Sequence, residues 1–582
     1  MKTRWRIRPH DPLTIARMER ECRVSSVLAQ LLVARGLTQA TLAQGFLDSK
    51  LSQLRDPETL PGLPAAADQI HAAIRADQRI TVYGDYDADG MTATALLYRC
   101  LKLLGAKVAY YLPNRMDEGY GLNCGALTKL HQSGTSLVIS VDCGIGSVEE
   151  ARLARQLGLG LIITDHHQPG PELPETTIVH PMLPGTSYPF GGLCGAGVAF
   201  KLAWAVCQRS SQAKRVTEPL REFLLSALSL AAIGAVADVV PLIDENRAIV
   251  KHGLVSLKSR PTVGLAELMR VCGIDQKSSL ASEDIAFALA PRLNAAGRLG
   301  QATLGVELLS TDDPDRAQSL AAYIDELNKN RLSLERSIYL SVTKQIKELH
   351  ADDEPPAYVL ADRGWHQGVI GIVAGRLAER FHRPVVMIAL DELGCKSGTG
   401  SARSVPGFDL HAALAACSRH LVKHGGHAAA AGLRIDEAHV GAFRDHFFEH
   451  VDEQLSESDR TAELQLDAEA SFPELTLRTI EEMERLAPFG QGNPRPLLCA
   501  TQVEISEAPR PLGQGDRHMS VRLRQHGQEL RALAFNRAEW IAAMNSGGQP
   551  LDIAFRPVIN EFRGRRTVEL HLQDWRTTGT KT

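Results

Sequence analysis

The strongest constraint on this chain lies between residues 79 and 180, where short β-branched runs alternate with stretches of helical spacing. RITVYG (79–84) reads as a strand, and TATALLYRCLKLLG (92–105) as a helix that stops on a glycine. KVAYYL (107–112), TSLVISV (135–141), LGLIIT (159–164) and TTIVH (176–180) read as further strands, with a helix near Ser147–Leu157 between the last pair of long ones. Strand–helix–strand repeats at this interval imply crossover connections and a parallel sheet. Residues 220–345 read as mainly helical, ending in a long charged amphipathic stretch. The strand–helix–strand rhythm returns in residues 357–390. Beyond about 463 it gives way to short alternating strands, MSVRLRQ, ELRALAF, LDIAFRPV and RTVELHL, which suggest a small β-barrel.

The predicted fold class is therefore α/β, with two α/β lobes joined by a long helix and a C-terminal barrel. The expected divisions are a helical segment over 1–60, a catalytic lobe over 61–320, the connecting helix over 321–352, a second lobe over 353–458 and the barrel over 459–582. At 582 residues, several domains are the natural expectation. No run of about 18 apolar residues appears, so no membrane span is expected. The start, MKTRWRIRPHDPLT, lacks the apolar stretch of a secretory signal. Ten cysteines are scattered with no C-x-x-C pair, which predicts reduced thiols and a cytoplasmic protein, with Cys143 a buried structural thiol. The net charge of −4 means that any nucleic-acid surface must be local.

The unusual residues fall at the C-terminal ends of the strands. The first strand runs into GDYDADG with Asp85, Asp87 and Asp89; the third into VDCGIG with Asp142; the fourth into TDHHQPG with Asp165, His166 and His167. In a parallel sheet these ends open onto one crevice, where ligands bind. Asp238, in GAVADVVPL, is a further candidate. So many converging carboxylates repel one another unless cations neutralise them. Mixed carboxylate and imidazole donors suit Mn²⁺ or Mg²⁺. A calcium loop is excluded, because the position of its twelfth-residue Glu, counted from Asp85, is Leu96.

GDYDADG, VDCGIG, TDHH and GAVADVVPL resemble the acidic motifs of the DHH phosphoesterase superfamily. PRLNAAGRLG (291–300), HQGVIGIVAGRL (366–377), GSARS (400–404) and GGHAAAAG (425–432) resemble the DHHA1 lobe of the RecJ exonucleases, and LAPFGQGNPRP (486–496) resembles the start of their OB-fold. The resemblance spans roughly residues 60 to 575. It implies an OB-like barrel and two divalent ions, Mn²⁺ or Mg²⁺. Asp85, Asp87 and Asp142 would hold one ion; Asp89, Asp142, His166 and Asp238 the other. Asp165 would orient a histidine, and His167 would stabilise the phosphorane or assist proton transfer. Arg115, Asn294, Arg298, Ser401, Arg403 and His427 would bind substrate, with the Gly-rich turns GSARS and GGHAAAAG offering backbone N–H groups to an anion. The implied activity is 5′→3′ exonucleolytic hydrolysis of single-stranded DNA to 5′-mononucleotides, in DNA repair and recombination. The implied partners are single-stranded DNA with a 5′ end and repair proteins such as a single-strand-binding protein or a helicase. The alternative is a DHH phosphodiesterase for short oligonucleotides or cyclic dinucleotides, which resembles residues 75–455 but usually lacks the barrel. The barrel carries three more Arg than acidic residues over 495–576, which suits phosphate contacts, and Phe489, Phe555, Phe562 and Trp575 are candidates for base stacking.

Overall fold

The computed structural model describes residues 3–113, 121–349, 354–456, 460, 462–545 and 549–579. The chain divides into two compact units. One holds Trp5–Asn294, Ala302–Ala321 and Leu464–Thr582; the other holds Met1–Arg4, Ala295–Gln301 and Ala322–Glu463.

The first unit begins with helices α1 (Pro12–Cys22), α2 (Ser26–Ala34) and α3 (Ala40–Leu47). Asp11 and Ser25 cap the first two through their side-chain oxygens. After α4 (Leu63–Arg75) come β1 (Arg79–Tyr83), α5 (Ala88–Leu103), β2 (Lys107–Tyr111), α6 (Cys124–Gln132), β3 (Leu137–Val141), α7 (Val148–Leu157), β4 (Gly160–Thr164) and β5 (Thr177–Val179). The strands form one parallel sheet in the order β2–β1–β3–β4–β5. The order reverses between β1 and β3, and such a switch point opens a crevice at the C-terminal strand ends. β3 is buried along its whole length, as a strand covered on both faces must be.

Helices α8 (Gly195–Ser211), α9 (Glu218–Ala237) and α10 (Asp244–Ser259) follow. By length and composition α9 is apolar enough to cross a membrane, contrary to the reading of the sequence. It is mostly buried, with Leu228–Ala235 wholly enclosed, which accounts for its composition as that of a core helix. Cys143 is buried, as expected of a structural thiol.

A continuous 36-residue helix, Pro314–Leu349, leaves this unit and enters the second. There β6 (Tyr358–Asp362), β7 (Val385–Ala389), β8 (Gly398–Arg403), β9 (Lys423–Gly426) and β10 (Ala430–Ile435) form a mixed sheet in the order β9–β10–β8–β7–β6. Helix α11 (Ile370–Phe381) connects β6 to β7. Phe443, Phe447, Val386 and Ile388 are among the residues of its core.

In the first unit, β11 (Leu498–Leu512), β12 (His518–Gln525), β13 (Gln528–Ala534), β14 (Leu551–Phe562) and β15 (Arg565–Thr577) form a barrel in the order β11–β12–β13–β15–β14, closed by β14 pairing back to β11. Closure removes the sheet edges. The barrel shares one hydrophobic core with the N-terminal helices: Met18, Leu28, Leu31 and Leu47 pack with Phe472, Met519 and Phe555. Within residues 1–60, α1–α3 thus pack against the barrel.

Candidate metal centre

The loop after β1 is built to present three acids. Asp87 caps α5, its Oδ1 accepting from Gly90 N–H at 2.9 Å. Asn294 Oδ1 accepts from Ala88 N–H at 2.9 Å and so pins the middle of the acidic run. Asp89 turns toward α8 and accepts from Gly195 N–H (2.7 Å) and Ala196 N–H (2.9 Å), at the positive end of that helix. Asp142, directly after β3, sits at φ 62°, a left-handed conformation that costs a non-glycine residue energy and is characteristic of functional sites. Close packing leaves these acids no slack. A Cβ at Gly195 would lie 2.5 Å from the Asp142 side chain, and one at Gly234 would lie 2.2 Å from Asp89 Oδ1.

The structure brings the predicted residues into overlapping groups. One ligand atom each from Asp85, Asp87 and Asp142 lie within 4.8 Å of one another, as do those of Asp89, His166 and Asp238, and those of Asp142, His166 and His167. His166 Nε2 is 3.1 Å from Asp142 Oδ1, 3.5 Å from Asp238 Oδ2 and 3.9 Å from Asp89 Oδ2. That nitrogen is buried and makes no hydrogen bond among the described residues, while the Leu193 backbone engages the ring elsewhere. A lone pair aimed at three carboxylates, with the other ring nitrogen tied to backbone, is the arrangement of a metal-binding imidazole.

The electrostatics agree. Burial, then the charge of Asp87, raises Asp89 to about 6. Burial, then Asp89 and Asp87, raises Asp238 to about 8. Burial, then Asp89, Asp87 and Asp85, drives Asp142 far above the usual carboxylate range. Burial, then the neighbouring His167, lowers His166 to about 4, so its ring is neutral and its lone pair free to coordinate. Carboxylates that resist ionisation without a cation, beside a neutral imidazole, form a donor set that fits hard divalent ions.

Asp165 does not join these groups. Against burial, the hydrogen bond and charge of His167 hold it down at about 2. Its Oδ1 accepts from the His166 and His167 amides and from His167 Nδ1 (2.7 Å), and its Oδ2 from Ile145 N–H. Against burial, Asp165 raises His167 to about 9, so His167 is an imidazolium at neutral pH. Sequence reasoning missed His180: Met182 N–H donates to its Nδ1, and its Nε2–H donates to His167 O at 2.8 Å, fixing the histidine turn from behind. A lone His at a strand end carries no signal of that.

The remaining predicted residues divide. Arg115 lies outside the described residues. In the second unit, Arg298 donates to Gly368 O at 3.1 Å. Ser401 and Arg403 share one face of β8 and touch each other at 3.2 Å; a Cβ on Gly371, in the first turn of α11, would lie 2.8 Å from Ser401 Oγ. His427 is exposed on the β9–β10 hairpin. GSAR is a strand paired on both sides, with β7 and β10, and not a Gly-rich turn. Its backbone N–H groups are spent in the sheet, so only side chains there can approach an anion. On the barrel, Phe489 and Phe555 are core, Trp575 packs against it, and Phe562 is exposed with Arg563 over its ring. Arg495, Arg522, Arg524, Arg531, Arg566 and Arg576 form ion pairs with acids, which trims the positive surface expected there.

Three families match the chain: the DHH family, N-terminal domain, over residues 79–231; the DHHA1 domain over 354–457; and the RecJ OB domain over 466–574. Fold and site thus define a DHH protein with a DHHA1 lobe and an OB barrel. The single-stranded-DNA-specific exonuclease RecJ of Bacillus subtilis (strain 168) is 38% identical over 576 residues, covering 98% of this chain and 71% of the relative. That of Escherichia coli (strain K12) is 35% identical over 564 residues, 94% of each. The crystal structure of RecJ in complex with Mn²⁺ from Thermus thermophilus matches with a TM-score of 0.83 and 33% identity, over 99% of this chain and 80% of that one. The chain belongs to the RecJ family of single-stranded-DNA-specific exonucleases.

Proposed function

We propose that this protein hydrolyses single-stranded DNA from the 5′ end, releases 5′-mononucleotides, and serves DNA repair and recombination. The observation that carries the reading is the pair of acidic groups, Asp85–Asp87–Asp142 and Asp89–His166–Asp238, converging at a sheet switch point in a chain with a RecJ OB domain. Each group would hold one Mn²⁺ or Mg²⁺, with Asp142 between them. Such an ion pair supplies hydroxide near neutral pH and neutralises charge on the reacting phosphate.

The chain's own residues do the rest. Asp89 and Asn294 fix the acidic loop by bonds to α8 and from Ala88. His167, about a third exposed, is held protonated by Asp165 and offers a positive edge to the phosphoryl oxygens and a proton to the leaving oxygen. Arg115, Arg298, Ser401, Arg403 and His427 would bind the terminal phosphate; the adjacency of Ser401 and Arg403 supports this. On the barrel, Arg510, Arg517, Arg563 and Arg565 form no ion pair among the described residues and would contact the strand. A single-strand-binding protein or a helicase would be its partner, and the ten free cysteines suit the cytoplasm. The barrel disfavours a dedicated short-oligonucleotide phosphodiesterase.

The test is digestion of 5′-phosphorylated single-stranded and duplex oligonucleotides with Mn²⁺, Mg²⁺ or chelator, resolved by product length. Metal-dependent mononucleotide release from single strands is expected. Equal digestion of duplex, or turnover in chelator, would overturn the proposal.

A further inference from the structure

A cavity of about 620 Å³ lies in the first unit, where α3, the start of α10 and the loop at Gly492–Asn493 meet. Arg35, Arg55 and Arg247 line it, and the one carboxylate lining it among the described residues, Asp244, is taken by Arg55 at 3.0 Å.

Arg247 is 1% exposed and has no carboxylate in ion-pair range among the described residues. Its donors reach only backbone oxygens: Phe46 O (2.8 Å), Leu486 O (2.7 Å) and Arg485 O (3.1 Å). Its guanidinium also lies 3.7 Å over the Phe46 ring. Arg35 is treated alike, donating to Asn493 Oδ1 (3.0 Å), Leu31 O (3.1 Å) and Pro494 O (2.8 Å). Neutral oxygens satisfy hydrogen bonds but leave the Arg247 charge uncompensated, and an enclosed cation without an anion is costly; Arg35 is half-buried, with Asp467 the carboxylate acting on its charge. Burial and the charge of Arg35 lower Arg247 to about 9, which reports the same strain.

Ser49 supplies an independent sign. It lines the same cavity and is 4% exposed, yet its Oγ makes no hydrogen bond among the described residues. A buried hydroxyl without a partner is uncommon and calls for a missing acceptor or donor. Apolar walls from Phe46, Leu42 and Ile243 complete the lining. Lining cations, an unsatisfied hydroxyl and apolar walls in this volume describe a small-molecule site.

We propose that this cavity binds a phosphate-bearing anion of up to mononucleotide size, with the phosphate between Arg35 and Ser49. Two sources offer that chemistry: free inorganic phosphate, and 5′-mononucleotides, which the proposed exonuclease activity would itself produce. The site does not depend on that activity; only the second source does. Asp244 and Ile243 stand six and five residues after Asp238, so an occupant would brace the segment that carries that acid.

The test uses the full chain in chelator at fixed ionic strength, titrated calorimetrically with dAMP, inorganic phosphate and deoxyadenosine. Thr41→Glu places an acid at the exposed mouth of the cavity, in the first turn of α3, where acids favour a helix. Arg35→Gln removes one proposed ligand. Beside any binding at the terminal-phosphate residues Arg298, Ser401, Arg403 and His427, which neither variant touches, we expect one phosphate-dependent site weakened at least tenfold in both variants. Comparable affinity for dAMP and phosphate would identify the free ion as occupant, and tenfold tighter dAMP the nucleotide. Absence of phosphate-dependent binding, equal binding of deoxyadenosine, or unchanged affinity in folded Thr41→Glu would overturn the proposal. The last result would move the binding to another phosphate site.

Discussion

Asn294 separates two accounts of the acidic loop. As a substrate ligand it would touch DNA; as placed, its Oδ1 is occupied by Ala88 N–H at 2.9 Å, inside the Asp85–Asp89 run. Asn294→Ala leaves that partly buried donor without its acceptor. An unmade bond of this kind costs about 1–3 kcal/mol, which corresponds to roughly 5- to 150-fold if the loop must be restored for turnover. The cost should appear in kcat and not in KM for DNA if, as proposed, the loop carries the metal donors and Asn294 serves the loop and not the strand. The half-saturating Mn²⁺ concentration should rise with it, and excess Mn²⁺ should recover part of the loss. Steady-state digestion of a 5′-phosphorylated single strand across a Mn²⁺ series measures all three. A raised KM with kcat unchanged would show that Asn294 reads the substrate. Unchanged kinetics would show that the bond to Ala88 does not organise the site.

Asp142→Ala should abolish nuclease activity and the thermal stabilisation by Mn²⁺, worth about 2.7 kcal/mol at a hundredfold excess over Kd, without lowering the melting temperature of metal-free protein; near-normal turnover would remove Asp142 from the site. Without metal Asp238, at about 8, holds a proton that a cation must displace over most of the range between pH 8.5 and 6, and Asp89, at about 6, joins it at the acid end. Apparent Mn²⁺ affinity should therefore fall as pH drops from 8.5 to 6, with proton release visible in buffers of different ionisation heat, and a flat affinity profile would contradict the donor assignment. Arg403→Ala should raise KM more for 5′-phosphorylated than for 5′-hydroxyl strands, by at most about 1.5–3 kcal/mol, and equal losses would show that it does not read the end. Substituting Arg510, Arg517 and Arg565 together by Ala should make the salt dependence of single-strand binding shallower by about 0.7 per lost contact, and an unchanged slope would mean that the barrel face carries no phosphates. Truncation after residue 460 is a poor substitute, since it strips α1–α3 of their core partners.

The parallel sheet was legible because β-branched runs and glycine stops are local signals, and the five labelled strands of that sheet stand where those runs lie. The acids were legible for a related reason: a strand end decides where Asp85, Asp142 and His166 must point, whatever the distant packing. β11 was missed. Pro509 and Pro511 and register shifts break its alternation, with Gln502 at positive φ, so no period-2 pattern survives. GSAR was misread because Gly and Ser favour turns but are also the residues that fit a crowded central strand; only its pairing on both sides reveals which applies. His180 and Arg247 act through carbonyls of remote segments, and such contacts leave no mark on neighbouring sequence.

The shared core of α1–α3 and the barrel also bears on synthesis. Ser25 N–H donates to Glu482 Oε2, a partner 457 residues further along the chain. At a translation rate of about 5–20 residues per second, that partner emerges roughly 20–90 s after Ser25 does. Through that interval Leu28, Leu31 and Leu32 have no native surface to cover them, so the leading helices must wait, exposed or chaperoned, for the tail. Ribosome-stalled chains ending before residue 466 should accordingly be cut by protease within residues 12–47, and full-length released chains should not.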